Sequence, residues 1–234
     1  MIRRSVIRRK PLEWRRMRIC ALAALLSVSS AVAAPFAVQV GEARIGLDAP
    51  PGFADTSFTG SPRLQELGES LTSASNRVLL FAITDADLRR FTLGDTLELR
   101  RYMIAVTPRA TERERMTQST FKAYAAESLR GLGPLPPPGD YRKHLESLPA
   151  GTVSMLAQLR DDPDAVTLLQ GARSKPARFF ESSTYQLSSI SIILLRGKPL
   201  TLSVYTQYDD AADIEWIRVT TARWIDELKR LNAR

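Results

Sequence analysis

From residue 36 onward the chain alternates short β-type runs with helical stretches. Phe36–Val40 and Ala43–Leu47 flank Gly41-Glu42, which predicts a tight hairpin. Pro50-Pro51-Gly52-Phe53 stops the second strand. Ser61 followed by Pro62 reads as an N-cap with proline at the first helical position, opening a helix to about Ser73. Arg77–Thr84 (RVLLFAIT) predicts a buried strand. Glu98–Thr107 predicts another, with Met103 and Ala105 opposing Tyr102, Ile104 and Val106. Thr117–Arg130 predicts a helix that buries Phe121, Ala125 and Leu129 and stops at Gly131. The first half therefore reads β-β-α-β-β-α.

Pro134-Leu135-Pro136-Pro137-Pro138-Gly139 follows as a stiff connector, the alternative being a recognition segment in polyproline form. Tyr141–Leu148 and Thr152–Leu159 read as two short helices and Ala165–Gln170 as a strand. Arg178–Gln186 alternates weakly, and Ile190–Leu195 is a strong strand core. Gly197-Lys198 suits a two-residue turn with glycine first. Leu200, Leu202, Val204 and Tyr208 then alternate with Thr201, Ser203, Tyr205 and Gln207, the pattern of a half-buried strand. Asp209 or Asp210 caps a final helix whose apolar face holds Ile214, Ile217, Trp224, Ile225, Leu228 and Leu231. Lys229 and Arg230 stand at its far end, where the helix dipole favours cations. Such a helix must pack on something, most simply the sheet. The pattern predicts an α+β single-domain sandwich, a largely antiparallel sheet covered by helices.

The first 34 residues have another character. A basic segment ends at Arg18, an apolar run of 16 residues (Ile19–Ala34) follows, and Ala31-Val32-Ala33 is an A-x-A site. These are the parts of a secretory signal peptide, 1–33, cleaved near Ala33. The run is shorter than the roughly 20 residues that span a bilayer, and no transmembrane segment is expected in the mature chain. An uncleaved anchor is the alternative. Met17 makes a second candidate start beside Met1. Residues 34–234 form the single predicted domain.

The leader changes the composition. The whole chain carries 33 Lys+Arg against 25 Asp+Glu, a formal +8. Without residues 1–33, eight basic residues and one acid drop out, leaving 25 basic against 24 acidic. That near-neutral balance argues against a nucleic-acid partner, because phosphate neutralisation needs a basic excess. Cys20, the only cysteine, leaves with the leader, so the mature chain is cysteine-free. A thiol nucleophile, a thiolate metal ligand and a disulfide are excluded there, which suits export.

The order of elements resembles the PsbP-like family, which includes the extrinsic photosystem II subunit and Ran-binding relatives. The residues that carry the likeness are the proline-glycine-aromatic turn Pro50–Phe53, the late hairpin RGKPLTLSVYTQY, and a tryptophan-bearing last helix ending near an asparagine (Trp224 to Asn232). It spans roughly Phe36 to Asn232, with 134–175 as an insertion. The resemblance implies an antiparallel sheet between helices and a protein that assists or binds a larger assembly. The photosynthetic member's metal role is not carried over, because its ligands match no positions here.

The chemistry is sparse. His144, the only imidazole, lies in YRKHLESL and reads as a helix-surface residue rather than a base. Asp161, Asp162 and Asp164 could offer oxygens to a divalent metal, but lack the glycine and closing glutamate of a calcium loop; an acidic turn is the simpler reading. Arg100-Arg101, with Arg89-Arg90 upstream, form either an anion site or ion pairs with Asp85, Asp87, Asp95 and Glu98. Trp216 lies off the apolar face of the last helix and marks either a contact surface or packing against a loop. No phosphate loop, dinucleotide fingerprint or serine-nucleophile motif is present, so neither a catalytic residue nor a cofactor is assigned.

These readings predict an exported, soluble, non-catalytic accessory or binding protein of the bacterial cell envelope, periplasmic or secreted, with a protein partner. The alternatives are a carboxylate-dependent hydrolase of envelope material and a small-ligand or divalent-metal binder. A cleft with convergent carboxylates of raised pKa would mark the hydrolase, and exposed aromatic surface the binding protein.

Overall fold

The computed structural model describes residues 35–130, 133, 135, 140–174 and 185–233. The chain divides into two units, Met1–Val32 and Ala33–Arg234, and every described residue belongs to the second. The signal peptide with its A-x-A site, Cys20, the stop at Gly131, most of the proline connector and the start of the weak strand at Arg178 lie outside the described residues.

The strands are β1 (Phe36–Val40), β2 (Ala43–Leu47), β3 (Phe53–Asp55), β4 (Asn76–Thr84), β5 (Arg101–Pro108), β6 (Val153–Asp162), β7 (Ala165–Arg173), β8 (Tyr185–Leu195) and β9 (Lys198–Gln207). The α-helices are α1 (Pro62–Ser70), α2 (Asp85–Thr92), α3 (Gln118–Leu129), α4 (Tyr141–Ser147) and α5 (Ala211–Asn232). β3 to β9 make a seven-stranded sheet in the order β3-β4-β5-β9-β8-β7-β6, antiparallel at every pairing. β1 and β2 form their own two-stranded sheet.

The main core lies between the large sheet, the β1–β2 hairpin and α5. Asp210 caps α5 by accepting from the Ala212 amide at 2.7 Å, and a capping box links it with Asp213. Ile217, Thr221, Trp224, Ile225 and Leu228 repeat at helical spacing and are buried against Leu187, Ile193, Leu202 and Val204 of the sheet. The other face is covered at two places. Leu64 of α1 packs with Phe81, Ile83 and Tyr102, and Phe121 and Ala125 of α3 pack with Ile192. The predicted α+β sandwich, with a largely antiparallel sheet, is the observed architecture.

Several predicted elements shift. Thr152–Leu159 is not a helix but most of β6, at the sheet edge. Register breaks between Met155 and Ala157 and between Gln158 and Arg160 place extra residues there. The bulges bring Met155, Leu156 and Leu159 to the spacing of a helical face and hide the two-residue period. Residues 134–175, read as an insertion, supply α4, β6 and β7, and the two strands extend the main sheet. β5 begins at Arg101 rather than Glu98, because Leu99 takes a left-handed backbone (φ 48°). The β8–β9 corner is made by Arg196 and Gly197, both at positive φ, one residue earlier than Gly197-Lys198. Lys198 pairs with Leu195 inside the ladder. β3 and α2 were not foreseen. β3 has only three residues, whereas α2 carried a legible signal: Thr84 accepts from the Asp87 amide at 3.1 Å, with Asp85 in the first turn and Arg89 and Arg90 in the last.

Candidate functional site

Arg90, Arg100, Arg101 and Trp216 come together where β5 begins, β9 ends and α5 starts, whereas Arg89 does not line this place. A cleft of about 270 Å³ is lined there by Asp87, Arg90, Glu98, Arg100, Arg101 and Asp213, among others. Arg101 lies over the Trp216 ring, its guanidinium carbon 4.1 Å from the centroid, and donates to Asp213 Oδ1 at 3.0 Å and Thr206 Oγ1 at 3.3 Å. Arg100 pairs with Asp209, and Arg90 with Glu98. Ion pairing is therefore the arrangement, but only Glu98 of the four expected acids takes part as a salt-bridge partner. Asp209, in the turn before α5, pairs with Arg100, and Asp213, in the first turn of α5, pairs with Arg101. Asp87 is buried and spends its oxygens locally, accepting from the Thr84 hydroxyl at 3.0 Å and the Glu98 amide at 3.1 Å.

Asp213 has opposed influences. Burial raises its pKa, but the Asp209 amide, Arg101 and the Asp210 amide together hold the carboxyl below the usual carboxylate value. A depressed folded pKa stabilises the fold above the unfolded value and ceases to do so as pH falls through the folded one. Asp213→Asn should thus cost about 1–2 kcal/mol at neutral pH. In urea titrations the gap to wild type should close as the pH drops below about 4; a gap that persists unchanged in acid would contradict this account.

Trp216 is half-buried between Arg101 and Phe53, whose ring centroid is 6.2 Å from its own. Its packing partners stand on strands, Phe53 on β3 and Arg101 on β5, rather than on a loop. Among the described residues the exposed aromatic is Phe58, 67% accessible, with its ring edge-on to Phe36 at 5.8 Å. It rides on a 3-10 turn, Thr56–Thr59, that is firmly held. Asp55 accepts from the Ser57 amide at 3.0 Å and hydroxyl at 2.7 Å, and the buried Thr56 hydroxyl donates to the Phe81 carbonyl at 3.0 Å. Sequence reasoning missed Phe58. The signal was a lone aromatic in the polar segment TSFTGS with no periodic partner.

The acidic turn does not converge. Asp161 and Asp162 are neighbours on β6 and point to opposite faces of the sheet. Asp162 pairs with Arg160 at 3.3 Å, and Lys229 of α5 reaches Asp164 at 2.5 Å and Asp162 at 3.7 Å. Among the described residues no three His, Cys, Asp or Glu side chains gather as metal ligands. His144 is half-buried rather than solvated, its Nε2 2.9 Å from the Ser154 hydroxyl, which joins α4 to β6. Among the described residues, Asp48 and Asp55 have raised pKa values. Burial is the main cause for both; at Asp48 the Glu227 charge adds to it, and at Asp55 the Ser57 hydrogen bonds oppose it. Asp55 lies at the end of β3 and Asp48 just beyond β2, where its carbonyl accepts from Trp224. Asp55 lines a cleft with α1 in which Asp48 has no part, so these two raised carboxyls do not form a pair.

The described residues define an antiparallel α+β sandwich that presents the aromatic Phe58 on a rigid turn. No protein-family model matches the chain, and no curated protein matches it. Among solved structures, the Saccharomyces cerevisiae Ran-binding protein Mog1p is similar at 10% identity, over 86% of this chain and 93% of that one, with a TM-score of 0.35. A likeness of that degree assigns neither fold nor partner; the arrangement described here stands on the strand pairings themselves. Among the described residues no helix is long and apolar enough to cross a membrane.

Proposed function

We propose that the chain is exported through a cleaved leader and acts in the bacterial cell envelope as a non-catalytic protein-binding module, with Phe58 and Phe36 at the centre of its contact surface. The observation that carries the reading is Phe58, an aromatic left two-thirds exposed on a turn fixed by Asp55 and Thr56. A rigid aromatic loses little entropy when it is covered, and aromatics dominate the centres of protein interfaces. Export is supported by the A-x-A site, which ends at Ala33, three residues before β1 begins at Phe36. The resemblance to PsbP-like proteins points toward the same kind of role.

A photo-reactive phenylalanine analogue at position 58, expressed in cells, tests the contact surface. A discrete protein adduct is expected at position 58 and none from the same group at exposed Lys122 on α3. No adduct at 58, or equal adducts at both, would overturn the assignment. The mass of the recovered protein should begin at Ala34; retained residues 1–33 would overturn export. Phe58→Ser should leave stability within about 0.5 kcal/mol, because the ring is mostly in water already.

A further inference from the structure

We propose that Arg77, Arg109 and Arg113 form a binding site for a phosphate group. They line an opening of about 520 Å³ with Gln39, Gly41 and Glu112, between the β1–β2 turn and the loop after β5. Arg109 and Arg113 are exposed and neither makes an ion pair. Glu112 is the one carboxylate lining the opening, and it pairs with Arg77 at 2.7 Å. Three guanidinium groups against one carboxylate leave two positive charges, which matches a phosphate dianion.

Arg77 supplies the second observation. Its Nη2 serves both the Gln39 carbonyl, at 2.5 Å, and Glu112. Its Nε is buried with no hydrogen-bond partner, the one such buried side-chain nitrogen or oxygen among the described residues. An unpaired buried donor is costly and calls for an acceptor. Guanidinium binds an oxyanion most strongly through two parallel N–H donors. A phosphate taking Nε and Nη2 from Arg77, once that side chain turns from Glu112 toward the opening, would satisfy the orphan. Arg109 and Arg113 would then hold its remaining oxygens.

The frame is built beforehand. Buried Lys198 donates to the carbonyls of Glu112, at 3.0 Å, and Glu114, which fixes the loop without using a carboxylate. The Arg109 amide donates to the Ser75 carbonyl at 2.9 Å and the Met116 amide to the Gly197 carbonyl at 2.8 Å, so both ends of the loop are tied. Net charge concealed this site, because a sum near +1 over the mature chain says nothing of where the charges stand.

Two sources share this chemistry: free phosphate or a soluble phosphomonoester, and a phosphomonoester headgroup on a membrane surface. The test uses the mature chain and an R109A/R113A double variant, both positions being exposed and unpaired. Inorganic phosphate is titrated by calorimetry, and co-sedimentation is measured with phosphatidylcholine vesicles with and without phosphatidic acid. Wild-type binding in either arm, weakened at least tenfold in the double variant at equal melting temperature, supports the site. Binding in the phosphate arm assigns a soluble ligand; binding only to phosphatidic acid vesicles assigns a headgroup. No binding in either arm, or equal binding by the double variant, overturns the proposal.

Discussion

Trp224→Ala should lower stability by about 3–5 kcal/mol, the usual cost of emptying a large aromatic from a core. For a domain of this size that is a fall of about 10 °C in Tm. Trp224 is completely buried and heads the set of largest fully buried side chains. It sits in the middle of the α5 stripe, so the cavity would open where helix, hairpin and sheet meet. The indole also donates to the Asp48 carbonyl at 2.8 Å, which fastens the chain leaving β2 to α5. Trp224→Phe separates the two contributions. It keeps most of the apolar contact but strands the Asp48 carbonyl, and should cost about 1–3 kcal/mol. Urea unfolding checks both, as a lower midpoint at unchanged slope. An alanine variant within 1 kcal/mol of wild type would mean that α5 does not organise this core.

The parts of this fold legible in the sequence are those whose signals are local. The β1–β2 hairpin was readable because two alternating runs meet at Gly41-Glu42. α5 was readable because its cap, its apolar stripe and its basic end agree. β6 was misread because two bulges in ten residues replace the strand period with a helix-like one. The arginine partners were hidden for another reason. Arg100 and Asp209 are 109 positions apart, and Arg101 and Asp213 are 112 apart; only the antiparallel pairing of β5 with β9, followed by α5, brings them together. Phe58 could not be ranked from sequence, since its exposure depends on how Asp55 and Thr56 fix the turn. The arginine opening needs three segments at once, the β1–β2 turn, the start of β4 and the loop after β5.

Gly41→Ala should have the second largest effect, and it joins stability to the arginine site. Gly41 has φ 55°, where an added side chain costs about 1 kcal/mol. Here a Cβ would also stand 2.3 Å from the Glu112 carbonyl oxygen and 2.9 Å from Lys198 Nζ. The first of these is backbone and cannot swing aside, so the hairpin turn and the loop must part. Parting them strains the bonds from Lys198 to Glu112 and Glu114 and leaves buried polar groups short of partners. The total should reach about 3 kcal/mol, adding the conformational cost to that of one or two broken hydrogen bonds. Gly52→Ala is the matched control, since Gly52 has φ 89° but nothing within 4 Å of the added carbon. It should lose only the conformational part, about 1 kcal/mol. If urea unfolding gives equal losses for the two variants, the hairpin is not braced on the loop. If the losses differ as stated, phosphate binding should weaken in Gly41→Ala and hold in Gly52→Ala, because only the first displaces the frame that carries Arg109 and Arg113.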